Sequence, residues 1–235
     1  MSTLHIAMLF AGILAAVLIA IKLKAKTVTL VNESRPRPNL ADPNSWVIGP
    51  VYNNQPNPSI GMPLHPEVGP DGFVIDLKPG REVHYVTANY LSLHGKTKIS
   101  MKGRIEGGPL FAKDGVSPAS LCLYFQRLGD DWQAIDSDPY SDRDTESYRW
   151  WATPKALMPL VAGPFELSAS FTDKWTAVQY SESIGDPPAG KPKVFQASMD
   201  NAGEVGFTFG GGTGWGHGVI SPAGAKIIVE SFEIS

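Results

Sequence analysis

Residues 207–219 read FTFGGGTGWGHGV, with six glycines in the ten positions from Gly210 and with Trp215 and His217 set among them. Glycine-rich loops often cradle phosphates. A P-loop, however, needs a Lys followed by Ser or Thr after its last glycine, and the dinucleotide fingerprint G-x-G-x-x-G fits no register of this stretch. The segment that follows, VISPAGAKIIVESF, reads as strand, so no helix N-terminus is at hand to face an anion. A metal at His217 would need partners. The other histidines, His5, His65, His84 and His94, show neither His-x-His nor HExxH spacing, and only convergence of His84, His94 and His217 from distant positions would supply them. Two readings remain. The glycines permit positive-φ turns and close backbone approach, or Trp215 and His217 are a ligand pair, with an indole face for an apolar ring and an imidazole for a hydroxyl.

A second constellation is ESYRWWA, residues 146–152. With strand periodicity, Glu146, Tyr148, Trp150 and Ala152 share one face, and Ser147, Arg149 and Trp151 the other. One of Trp150 and Trp151 then belongs to a core. The other, with Tyr148 and Arg149, forms a candidate stacking platform or lies under a loop. The loop DSDPYSDRDTE just before it carries Asp136, Asp138, Asp142 and Asp144. Crowded oxygen ligands suit Ca²⁺, though the spacing is not that of an EF-hand, and a solvated acidic loop is the plain alternative. No other cofactor is indicated.

Catalytic signatures are few. There is no G-x-S-x-G elbow, and the single cysteine, Cys122, lies mid-strand in LCLYF, where a small side chain packs. A glycoside hydrolase pair assembled from Glu106, Asp130, Asp131 or Glu230 requires a facing geometry that spacing does not encode. A lone cysteine also excludes an internal disulfide and any cysteine-based zinc site.

The elements that must position these residues are strands. KISMKGRIE alternates Ile99, Met101, Gly103 and Ile105 with Lys98, Ser100, Lys102, Arg104 and Glu106. That is a strand with one buried and one wet face. The same alternation places Leu121, Leu123 and Phe125 on one face, and Phe165, Leu167, Ala169 and Phe171 on another. The candidate strands are 72–77, 82–88, 97–107, 119–128, 146–152, 164–171, 204–211 and 225–234. Their long connections, including 181–203, read as loops. About eight antiparallel strands in 165 residues predict an all-β fold, a jelly-roll-type antiparallel β-sandwich over residues 71–235.

Residues 27–70 precede it. Nine prolines between Glu33 and Pro70 exclude a helix or a central strand there, leaving an extended stalk or strap. Its apolar patch SWVIGPVY (45–52) is expected to dock on the domain. Residues 1–26 contain LHIAMLFAGILAAVLIAI (4–21), about 27 Å long as a helix. This matches a single N-terminal transmembrane helix, an uncleaved anchor making the chain a single-pass membrane protein. Lys22, Lys24 and Lys26 follow it, so the positive-inside rule leans the sandwich towards the cytoplasm. Setting those three lysines aside leaves 17 basic against 23 acidic residues, a balance of −6, which argues against a nucleic-acid partner.

FTFGGGTGWGHGV as a closing hairpin, followed by the final strand AKIIVESFEI, resembles the C-terminal end of carbohydrate-binding and galactose-binding-like β-sandwich modules. The resemblance is one of fold over roughly the last 160 residues. It implies a glycan as ligand class, presented to rim aromatics, and assigns no site residue by itself. The sequence therefore predicts a membrane-anchored, non-catalytic binding module with a glycan or protein partner. The alternatives are a structural or assembly protein of an envelope or virion membrane, and a glycan-active hydrolase or lyase.

Overall fold

The computed structural model describes residues 39–52, 55–130, 148–177, 182–184, 192–211 and 215–235. In chain order the strands begin β1 (Trp46–Ile48), β2 (Val51–Tyr52), β3 (Gln55–Pro56), β4 (Glu67–Gly69), β5 (Gly72–Leu77) and β6 (Glu82–Val83). Next come β7 (Tyr85–Asn89), β8 (Lys98–Gly107), β9 (Phe111–Ala112), β10 (Ala119–Arg127), β11 (Arg149–Trp151) and β12 (Leu157–Pro159). The last are β13 (Gly163–Ser170), β14 (Thr176–Ala177), helix α1 (Pro192–Asp200), β15 (Ala202–Gly211), β16 (Val219–Ile220) and β17 (Ala225–Ile234).

Two antiparallel sheets face each other. One runs β1-β7-β15-β10-β11-β14, with β12 as a second partner of β10; the other runs β13-β8-β17-β5-β4. Alternation decides which side chains lie between them. Leu121, Leu123 and Phe125 of β10 and Val205, Phe207 and Phe209 of β15 point inward from the first sheet. Ile99, Met101 and Ile105 of β8 and Ile227, Val229 and Phe232 of β17 answer from the second. An irregularity between Val229 and Ser231 shifts the β17 register, so that Val229 and Phe232 both face the core while Glu230 stays outside.

Trp46 is the hub of this core. It is fully buried from β1, an edge strand on β7, and packs on Phe73 (5.1 Å between ring centroids), Phe232 (4.9 Å) and Phe207 (5.8 Å). A proline-rich segment can enter a sheet only at an edge, and β1 does so.

Two expectations are corrected. The connection 181–203 is not all loop, because residues 192–200 form α1. Pro192 opens the helix with a pre-set φ. Phe195 and Met199, four residues apart, bury one side of it, with Phe195 against Trp150 (5.0 Å), Phe125 (5.6 Å) and Trp175 (6.1 Å). Nine residues make a helix too short to be read from propensity, and tertiary packing holds it. Nor does FTFGGGTGWGHGV close as a regular hairpin ladder. β7 and β10 flank β15 up to Thr208, and the returning chain meets β15 at Gly218, which donates to the Phe209 carbonyl (3.0 Å). It pairs instead as β16 with β6 and β9, and β17 crosses to the other sheet.

No helix among the described residues is long and apolar enough to cross a membrane. The apolar segment 4–21 lies outside them, as do Asp136, Asp138, Asp142 and Asp144.

Candidate functional site

The outward face of the seven-stranded sheet is polar and aromatic, yet largely covered. Its side chains stand in cross-strand rows set by register. Thr87, Gly206, Tyr124 and Trp151 form one row, and Asn89, Glu204, Gln126 and Arg149 the next. Tyr85, Thr208 and Cys122 form a third.

Several polar groups of the face are hydrogen-bonded. Thr87 Oγ1 donates to the Gly49 carbonyl (3.3 Å), and since a hydroxyl has one proton, Tyr124 must donate to Thr87 (2.7 Å). Gln126 donates to the Val51 carbonyl (2.6 Å), and the Trp151 indole N–H to Thr208 Oγ1 (3.1 Å). Gly49 lies in the connection between β1 and β2 and Val51 opens β2, so this stretch roofs one side of the face. Arg149 Nε and Asp130 Oδ2, both largely buried, pair at 2.9 Å. Burial pushes the Tyr85 hydroxyl up to about 12, an effect that the Arg149 charge and hydrogen bond partly offset. Burial also raises Tyr124 well above the usual phenol range and pushes the Cys122 thiol up, so neither supplies an anion near neutral pH.

The glycine stretch roofs the other side. Trp215 lies half-buried on Trp151, ring centroids 5.8 Å apart and planes inclined by 35°. Tyr85 meets Tyr124 edge-on at 5.2 Å, completing an aromatic cluster with Trp151. Gly216 has φ +73°, and a Cβ there would stand 2.2 Å from the Tyr85 hydroxyl oxygen. Gly218 has φ +96°, and its Cβ would stand 2.8 Å from His84 Nε2. Only glycine combines these dihedrals with so close an approach, which accounts for the composition of the stretch at these two positions.

The sequence-identified residues therefore separate. Trp151, Arg149 and Trp215 meet on the outer face. Trp150 does not; alternation within β11 turns it into the core, fully buried against Phe195, and it is corrected from binding residue to packing residue. Tyr148, just before β11, lies half-buried with the Arg127 guanidinium 5.0 Å over its ring. His217 is exposed and lines a separate pocket of about 420 Å³ with Ala112, Lys113, Asp114, Gly211 and Gly218. His84, His94 and His217 do not form a metal site. His94 binds Asp200 (2.9 Å), and no group of three metal-ligating side chains occurs among the described residues.

Sequence reasoning missed Tyr85, Tyr124 and Thr208. For Tyr124 the signal was the outward phase of a strand with a plain inward one, since Cys122, Tyr124 and Gln126 alternate with Leu121, Leu123 and Phe125. Of the carboxylates weighed for hydrolysis, Asp131 lies outside the described residues and the other three are paired with arginines. Glu106 and Glu230 both bind Arg104 (2.8 and 2.7 Å) on the exposed face of the other sheet, together with Asp71 (2.9 Å). Asp130 is the partner of Arg149.

No protein-family model matches the chain, and no curated protein matches it significantly. Similar solved structures include a xylanase 10C mutant (E385A) from Cellvibrio japonicus in complex with xylopentaose. It is 14% identical with a TM-score of 0.43, covering 85% of this chain and 28% of that one. Another is the xylan-binding module CBM15, 12% identical with a TM-score of 0.38, covering 82% of this chain and 95% of that one. This chain thus spans little more than a quarter of the xylanase.

Proposed function

We propose that the sandwich is a non-catalytic glycan-binding module whose ligand lies at the Trp215 end of the outer sheet face. The observation that carries this reading is the Trp151–Trp215 pair, with one indole buried as a base and the other half-exposed over it. Around the pair stand Arg149, Asp130 and the Tyr85 hydroxyl. An indole face offers apolar area to the C–H side of a pyranose, while charge-assisted donors and acceptors beside it suit the equatorial hydroxyls. Burial holds Cys122 and both tyrosines protonated, and the Asp130 carboxylate is tied to Arg149, an arrangement that suits binding. In this reading the sandwich is of the jelly-roll type, and residues 1–26 anchor it to a membrane.

The test is a fluorescence titration of the full-length chain, in mild detergent, with soluble xylan, β-glucan, galactomannan and pectin. At least one polysaccharide is expected to change tryptophan emission saturably. Trp215→Ala is expected to weaken that binding about tenfold or more, the equivalent of about 1.4 kcal/mol. Emission indifferent to every polysaccharide would overturn the reading.

A further inference from the structure

The chain that carries Trp215 is tied down by a side chain outside the aromatic cluster. His84 sits at the break between β6 and β7, where its carbonyl accepts from Phe209 N (2.8 Å) and its amide reaches Ser59 Oγ (3.4 Å). Its ring faces two oxygens. Nδ1 is 3.0 Å from the Gly216 carbonyl, and Nε2 contacts Glu82 Oε1. The same Glu82 oxygen takes the Lys113 ammonium at 3.0 Å.

A carbonyl can only accept, and a carboxylate carrying an ammonium on the same oxygen is an ionised acceptor. Neutral imidazole has one N–H and serves one of these oxygens; the imidazolium serves both. When the ring loses a proton, the one that remains belongs on Nε2, against the charged partner. Nδ1 then turns a lone pair to the Gly216 carbonyl, and the tie to the glycine stretch is the bond that is lost. Gly216 has little slack, because it already abuts the Tyr85 hydroxyl. Trp215, its neighbour, follows its position.

We infer that His84 is a positioning residue for Trp215: doubly protonated, it holds the Gly216 carbonyl and keeps the indole seated on Trp151, and deprotonation loosens that seat. The charged and titratable groups around it are Glu82 from β6, Lys113 from the turn after β9, and His217 one residue beyond Gly216. Asp114, next to Lys113, spends its oxygens on the Val116 and Ser117 amides and the Ser117 hydroxyl, and so does not compete for the ring. The consequence for ligand binding rests on the glycan reading above: affinity would be higher with the ring doubly protonated than with it neutral.

The test needs no sugar. In full-length protein labelled with ¹⁵N-tryptophan, the Trp215 indole signal is identified by its loss in Trp215→Phe and followed from pH 5 to 8. It is expected to move with a one-proton transition that disappears in His84→Gln and persists in His217→Gln. Lys113→Met removes a cation beside the ring, so the midpoint is expected to move to higher pH, and this exposed position serves if His84→Gln does not fold. A Trp215 signal flat across the range, a transition that survives His84→Gln, or a midpoint unmoved by Lys113→Met would overturn the assignment. A protein that binds none of the polysaccharides would overturn the glycan reading and leave this readout untouched.

Discussion

The Tyr85 hydroxyl is enclosed by the Arg149 guanidinium on one side and the Gly216 backbone on the other, and that enclosure sets its acidity. Its pKa stands at about 12 in the fold, against about 10 for an unfolded tyrosine. The folded state therefore keeps a proton that the unfolded state gives up. The associated stability, on the order of 3 kcal/mol for two units, is fully present below pH 10 and is lost as the pH rises from 10 to 12. Tyr124, raised in the same direction, steepens the loss. Urea midpoints are expected to fall across that interval, and Tyr85→Phe should flatten the dependence. Ionisation of all seven tyrosines near pH 10 in the native protein, read from phenolate absorbance, would contradict the burial of this face.

Elements place these residues, and the most consequential is the shortest. β1 contributes three residues, yet its Trp46 touches aromatic rings from both sheets. The chain just after it, from the connection into β2, supplies the Gly49 and Val51 carbonyls that roof the outer face. Trp46→Ala is expected to cost about 3–5 kcal/mol, seen as a lower urea midpoint. A loss below 1 kcal/mol would mean that β1 is not part of the cooperative unit. Long strands were legible in the sequence: β5, β8, β10, β13 and β17 fall within one or two residues of their expected bounds. Two-residue strands such as β9, β14 and β16 were not, because a pair of residues has no period, and the expected strand 82–88 is broken at His84 into β6 and β7. α1 was hidden by the prolines and glycines around it and by its dependence on Phe195 finding Trp150. At the site, the sequence singled out Trp215, Trp151 and Arg149. It could not choose between Trp150 and Trp151, since alternation gives two faces without saying which one meets the other sheet.

On the scale of the whole molecule, the sandwich leaves one sheet face charged and exposed around Arg104, and roofs the other with the β1–β2 turn and the glycine stretch. If residues 4–21 anchor it, the full chain should stay with membranes after an alkaline carbonate wash; release into the supernatant would exclude an integral anchor. The claim on which the account turns is that Trp215 is a glycan-binding surface. Affinity electrophoresis of the full-length protein and of Trp215→Ala, in gels containing each of the four polysaccharides, tests it most directly. The account predicts that at least one polysaccharide retards the native protein and that retardation is lost in the variant. Equal mobility in every gel, or retardation that Trp215→Ala leaves unchanged, would contradict it.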